Sequence, residues 1–258
     1  MPRQLPNSPL REMASQLVAF IQILKKCKIL DDTRSIYAIR DKLNASRLRD
    51  GVLTWNYSIS KMKLQLDVGS VVFPTDGTSL ACNVDFAVNG VVKEGSQRGD
   101  FDWQITHTSM NLEFFATGGS TSSQFWHLDT HIDGPTATPP AEAHPMFHLH
   151  FGGSRMAERR SSKSGCWGEM LEMRGPRFAH PPMDLILAFD FILANNTGSK
   201  WRDCLCKEKE YNRAVCNSQY RFWRPYETAI TDFYQCSRAK QENHCARLFL
   251  PTLRVASF

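Results

Sequence analysis

From Pro9 the chain repeats apolar positions at steps of three and four. Leu10, Met13, Ala14, Leu17, Val18, Ile21 and Leu24 share one side of a helix, with Ser8 as its N-cap and Pro9 at the first helical position. A second helix is expected to start at the capping cluster Asp31, Asp32 and Thr33 and to run through Ile36, Ile39 and Leu43. It places Arg47 and Arg49 in its last turn and ends at Gly51. Two amphipathic helices joined by a few residues predict a helical hairpin.

From Val52 the period shortens to two. Trp55, Tyr57 and Ile59 alternate with polar neighbours, and Met62, Leu64, Leu66 and Val68 repeat the pattern as a further half-buried strand. Leu80, Cys82, Val84, Phe86 and Val88 share a face, and the pair Asn89 and Gly90 predicts a hairpin turn with Val91 and Val92 starting the return. Residues 110–116 and 124–132 flank the turn-rich segment 117–120, so they are expected to pair antiparallel. A proline-rich loop then leads to a last strand over residues 145–151.

Beyond the strands, residues 154–165 carry Arg155, Arg159, Arg160 and Lys163 against Glu158 alone, which predicts an exposed basic loop. Pro181 and Pro182 precede a helix over residues 183–194 that is apolar on nearly every side and therefore buried. A longer helical region follows from Trp201 to Cys236, with a bend or break at Arg224 and Pro225. The fold class is α+β: an N-terminal helical hairpin, a central antiparallel β-meander and a mostly helical C-terminal third. The chain is read as a single domain over 1–258, with regions 1–51 helical, 52–153 sheet, 154–180 basic loop and connection, and 181–258 helical.

Composition changes this picture in two places. No stretch has the make-up of a signal peptide or a membrane span, so a cytoplasmic protein with no membrane partner is expected. In a reducing compartment the eight cysteines are expected as free thiols rather than disulfides. Five of them, Cys204, Cys206, Cys216, Cys236 and Cys245, crowd the C-terminal fifth, but none forms the C-x2-C knuckle that structural zinc favours. The formal charge of +5 gives mild support to an acidic partner.

Phosphate-cradling glycine loops, the dinucleotide fingerprint, H-E-x-x-H and the G-x-S-x-G elbow are all missing. Three constellations remain. Five of the eight histidines, His127, His131, His144, His148 and His150, fall within 24 residues. Strand alternation puts His127, Asp129 and His131 on one face, and His148 and His150 on one face of the next strand. Imidazole with carboxylate suits a divalent metal such as zinc or manganese, and the same pattern also builds an ordinary polar sheet face.

The second constellation is His180 with Asp184 at the start of the buried helix. A catalytic pair is one reading, and a capped helix start with a structural ion pair is the other. In that helix Asp190 needs neutralising or a cation, such as Arg177 or a C-terminal arginine. The third is Arg213, Arg221 and Arg224 interleaved with Tyr211, Tyr220, Phe222, Trp223 and Tyr226, a pattern able to hold phosphates while rings stack on bases.

Two functions follow. The preferred one is a non-catalytic nucleic-acid-associated or complex-forming intracellular protein, with Arg155, Arg159, Arg160, Lys163, Arg213, Arg221 and Arg224 as its contact surface for nucleic acid or a protein partner. The alternative is a metal-dependent hydrolase such as a nuclease, built on His127, Asp129, His131, His148 and His150.

Overall fold

A sheet of six antiparallel strands in sequence order carries the molecule, and the helices that precede and follow it in the chain supply the rest of one hydrophobic core. The computed structural model describes residues 9–47, 51–66, 79–95, 100–117, 123–130, 147–152 and 178–235. Helices α1 (Pro9–Lys26) and α2 (Arg34–Ala45) come first. The strands are β1 (Val52–Leu66), β2 (Ser79–Glu94), β3 (Phe101–Thr117), β4 (Ser123–Thr130), β5 (Phe147–Phe151) and β6 (Phe178–Ala179). Then follow α3 (Leu185–Asn196), α4 (Gly198–Asp203), a 3-10 turn at Leu205–Lys207 and α5 (Lys209–Gln235). The architecture is the α+β arrangement that the change of period predicts.

The register shows which side chains share a face. Met110 lies opposite Phe86 and Leu128, and Leu128 opposite Leu149, so these apolar residues form a row across four strands. That row, with Trp55, Tyr57, Ile59 and Leu64 from β1, is buried with Leu10, Leu17, Phe20 and Ile21 of α1 and with Leu185, Ile186, Leu187, Phe189, Ile192 and Leu193 of α3. Each such side chain contributes about 1.5–3 kcal/mol on burial. Helix α3 starts where Asp184 accepts a hydrogen bond from Leu187 N at 2.9 Å, an N-cap set just after the two prolines.

Four expectations are corrected. Asn89 and Gly90 do not turn the chain: β2 runs straight through them, and a bulge shifts its register with β3 between these two residues. Glycine is required there because a Cβ would stand 2.3 Å from the Trp55 indole. The phase change after Ile59 is likewise no strand end. Strand β1 continues through a bulge, with Lys61 at a φ of 50° and its N–H donating to Asp85 Oδ1 at 2.9 Å.

Helix α2 stops at Ala45 rather than Gly51, and Arg47 donates to the carbonyls of Asn44, Ala45 and Ser46 just past its end. The C-terminal helical region breaks between Asp203 and Lys209, while α5 passes through Pro225. No helix among the described residues is long and apolar enough to cross a membrane.

Candidate functional site

The strand histidines meet on the side of the sheet opposite the core. His127 lies opposite Asn111 on β3 and His150 on β5, while Asp129 lies opposite Ser109 and His148. The His127 and His150 ring centroids are 4.9 Å apart, and those of His148 and His150 are 5.8 Å apart. His127 Nδ1 donates to Asn111 Oδ1 at 2.5 Å, which turns its Nε2 toward Asp129 Oδ2 at 3.4 Å. Asp129 Oδ1 accepts from Thr130 N at 2.8 Å, so the carboxylate is held from its own backbone.

His148 is buried at 1 % exposure, whereas His127 and Asp129 remain about a quarter exposed at 26 % and 27 %. Among the described residues, no three His, Cys, Asp or Glu side chains stand ready-made around one position as a metal cage. His131, the fifth member of the expected ligand set, lies outside the described residues, as does His144.

His180 and Asp184 are engaged separately. His180 Nδ1 bonds the Pro181 carbonyl at 2.8 Å, and the ring packs edge-on to Phe191. Burial holds the His180 imidazole below its ordinary range. Asp184 accepts from Leu187 N and from Ser218 Oγ at 2.8 Å, and burial pushes its carboxyl above the usual range despite those bonds and the nearby Arg221 charge. The capped helix start, not a His-Asp pair, is what the structure contains. Among the described residues Asp190 accepts from Trp201 Nε1 at 2.9 Å and Tyr211 Oη at 2.6 Å, while Arg177, one of its expected cation partners, lies outside them.

The arginines divide. Arg155, Arg159, Arg160, Lys163 and Arg177 lie outside the described residues. Arg213 is exposed beside Glu210, and Arg224 is exposed with its guanidinium 4.8 Å from the Tyr220 ring. Arg221 is buried: it bonds Gln16, stands 3.6 Å from Glu12 and lies over the Trp103 ring at 5.3 Å. It belongs to the interior and offers no outward surface to a nucleic acid.

A basic surface forms where the lysines of residues 25–28, which the sequence reading leaves aside, adjoin the basic C-terminal region that starts at Lys200. Lys26 bonds Glu208 at 3.1 Å, which brings the end of α1 against the start of α5 across 182 residues of chain. Residues 25–28 and 200–210 thereby adjoin, and together they hold seven Lys/Arg (Lys25, Lys26, Lys28, Lys200, Arg202, Lys207 and Lys209) against Asp203, Glu208 and Glu210. All seven are exposed except the half-buried Lys200. The sequence signal was two short runs, Lys25-Lys26-x-Lys28 and Lys207-x-Lys209, the second inside the basic region 200–247.

Cys27 and Cys206 are half-buried at this junction, Cys204 is exposed, and the five described cysteines are free thiols. Comparison with protein-family models, with curated proteins and with solved structures finds no match to this chain.

Proposed function

We propose that this protein acts by binding nucleic acid rather than by catalysis, with the basic junction of α1, α4 and α5 as its contact surface. One observation carries the reading: two lysine-rich segments remote in sequence adjoin through the Lys26 and Glu208 pair and leave a net positive, exposed surface. Phosphate contacts of this kind need no base-specific geometry, because lysines displace condensed counterions along the backbone. Exposed Arg213 and Arg224, the latter beside exposed Tyr220, extend the surface along α5 with a ring able to stack.

The test is a titration of the full chain against labelled single-stranded RNA and duplex DNA at several salt concentrations. Wild type is expected to bind more weakly as salt rises, with a slope set by the number of phosphates contacted. Lys25, Lys26 and Lys28 changed together to Ala should weaken binding and flatten that slope by about two to three, at roughly 0.7–0.9 per contact. Arg159, Arg160 and Lys163 changed together to Ala form the second arm. No association at low salt, or a lysine variant with the wild-type slope, overturns the reading.

A further inference from the structure

We infer that the nucleic acid this chain binds is single-stranded, and that it lies along the exposed side of α5 with one base stacked on Tyr220. The inference rests on the nucleic-acid reading above and adds to it the form of the strand and the place of a base.

The helix period supplies the first step. At 3.6 residues per turn, Lys209, Arg213, Cys216, Tyr220 and Arg224 fall within about 80° of one another around the α5 axis. All five are exposed, while Tyr211, Ala214, Val215, Ser218 and Phe222 on the opposite side are buried. At about 1.5 Å per residue the stripe runs for roughly 22 Å. It holds three cations and no carboxylate, and Lys209 at its start already belongs to the basic junction, so the two positive surfaces are continuous.

Glu210 flanks the stripe in a pair with Arg213 at 3.1 Å, and Glu227 follows Arg224 at its far end. An exposed ion pair of this kind contributes little. Arg213 can therefore exchange its carboxylate for a phosphate.

Tyr220 is what separates a single strand from a duplex. Of the five aromatic residues from Tyr211 to Tyr226, Tyr211 and Phe222 are buried and Trp223 and Tyr226 half-buried, whereas Tyr220 is 64 % exposed. The Arg224 guanidinium lies 4.8 Å from the Tyr220 ring centroid, a cation–π contact that steadies the ring from one face and leaves the other to a base.

Phosphates are common to duplex and single strand, so cations alone do not distinguish them. In a duplex each base is stacked between its neighbours and its face is closed to a side chain. In a single strand that face is open, and a ring set among cations binds any base without reading its edges.

The experiment presents the full chain at low salt with three labelled probes: a DNA strand, the same strand annealed to its complement, and an RNA strand of the same sequence. The single strands are expected to bind more tightly than the duplex. Tyr220→Ala should weaken the tighter-bound of the two single strands about 5- to 100-fold, the loss of one stacked base, with a much smaller effect on the duplex. Tyr220→Phe keeps the ring and should restore binding. Lys209, Arg213 and Arg224 changed together to Ala should flatten the salt slope for the single strand by about two, at roughly 0.7 per contact.

Circular dichroism of each variant separates a lost contact from a lost fold. No binding of any probe at low salt overturns the nucleic-acid reading itself, and this inference with it. Salt-dependent binding that favours the duplex, or a folded Tyr220→Ala chain that holds single strands as tightly as wild type, overturns the single-strand inference and leaves the broader reading standing.

Discussion

The two faces of one sheet use polar side chains in opposite ways. On the inner side buried polar groups tie one element to another. Asp184 joins α3 to α5 through Ser218, Leu185 N donates to Tyr57 Oη of β1 at 3.2 Å, and Thr108 bonds both Thr130 and the Met183 carbonyl. On the outer side the polar groups pair across neighbouring strands, as Asn83 with Glu113 and His127 with Asn111. Inner polarity is part of the fold, because an unpaired buried group costs its full desolvation. Outer polarity at His127 and Asp129, each about a quarter exposed at 26 % and 27 %, meets water and can be exchanged, whereas His148 on the same face is buried.

Asp184→Ala tests the inner half and carries the largest expected effect. It removes the α3 N-cap, the acceptor for Ser218 and a carboxylate whose charge acts on the buried Arg221 guanidinium. Losing a cap costs about 0.5–2 kcal/mol and leaving the buried Ser218 hydroxyl without its acceptor about 1–3 kcal/mol more, measurable by urea denaturation. Asp184→Asn should cost less, since asparagine caps nearly as well.

The pH dependence gives a second reading of the same group. Burial raises the folded carboxyl above its unfolded value, so the folded state binds the proton more tightly. Asp184's contribution is therefore fully present below the ordinary carboxylate range and declines as pH rises through the raised folded value. In Asp184→Asn that part of the stability profile should be flat.

Gly90→Ala comes next. The new methyl would meet the Trp55 ring at 2.3 Å and the Gln104 carbonyl at 2.8 Å, so either the indole or the β2–β3 pairing must shift. Overpacking of this kind costs about 1–3 kcal/mol, and loss of Trp55 near-ultraviolet dichroism should accompany the lower melting temperature.

Gly90 also marks where sequence stops being legible. Periodicity locates α1, the strands and the buried α3 because burial of one face is a local pattern. It misreads Gly90 as a turn, since a glycine chosen for a neighbour's bulk looks the same as one chosen for its backbone freedom. It misreads the Lys61 bulge as a strand end for a like reason: one extra residue resets the alternation.

The cluster of His127, Asp129, His148 and His150 on one face was legible from alternation alone, and register supplied the rest. The basic junction was not, because Lys26 and Glu208 meet only through tertiary packing. Arg221 was read as surface for the same cause: its carboxylate neighbours, Asp184 and Glu12, lie on other helices or their caps.

The smallest effect on stability should come from the outer face, and it is the sharpest test of the contrast. His127→Ala removes a side chain that is 26 % exposed together with its hydrogen bond to Asn111. One such bond contributes about 0.5–1.5 kcal/mol, and water reaches the site to take up part of the loss. The melting temperature should fall by a few degrees at most, with a denaturant slope unchanged from wild type. Asp184→Ala, also a single polar residue, should fall several times further. If His127→Ala instead unfolds the chain as Asp184→Ala does, the outer face is holding β4 to its neighbours. The division between structural polarity inside and exchangeable polarity outside is then wrong for this sheet.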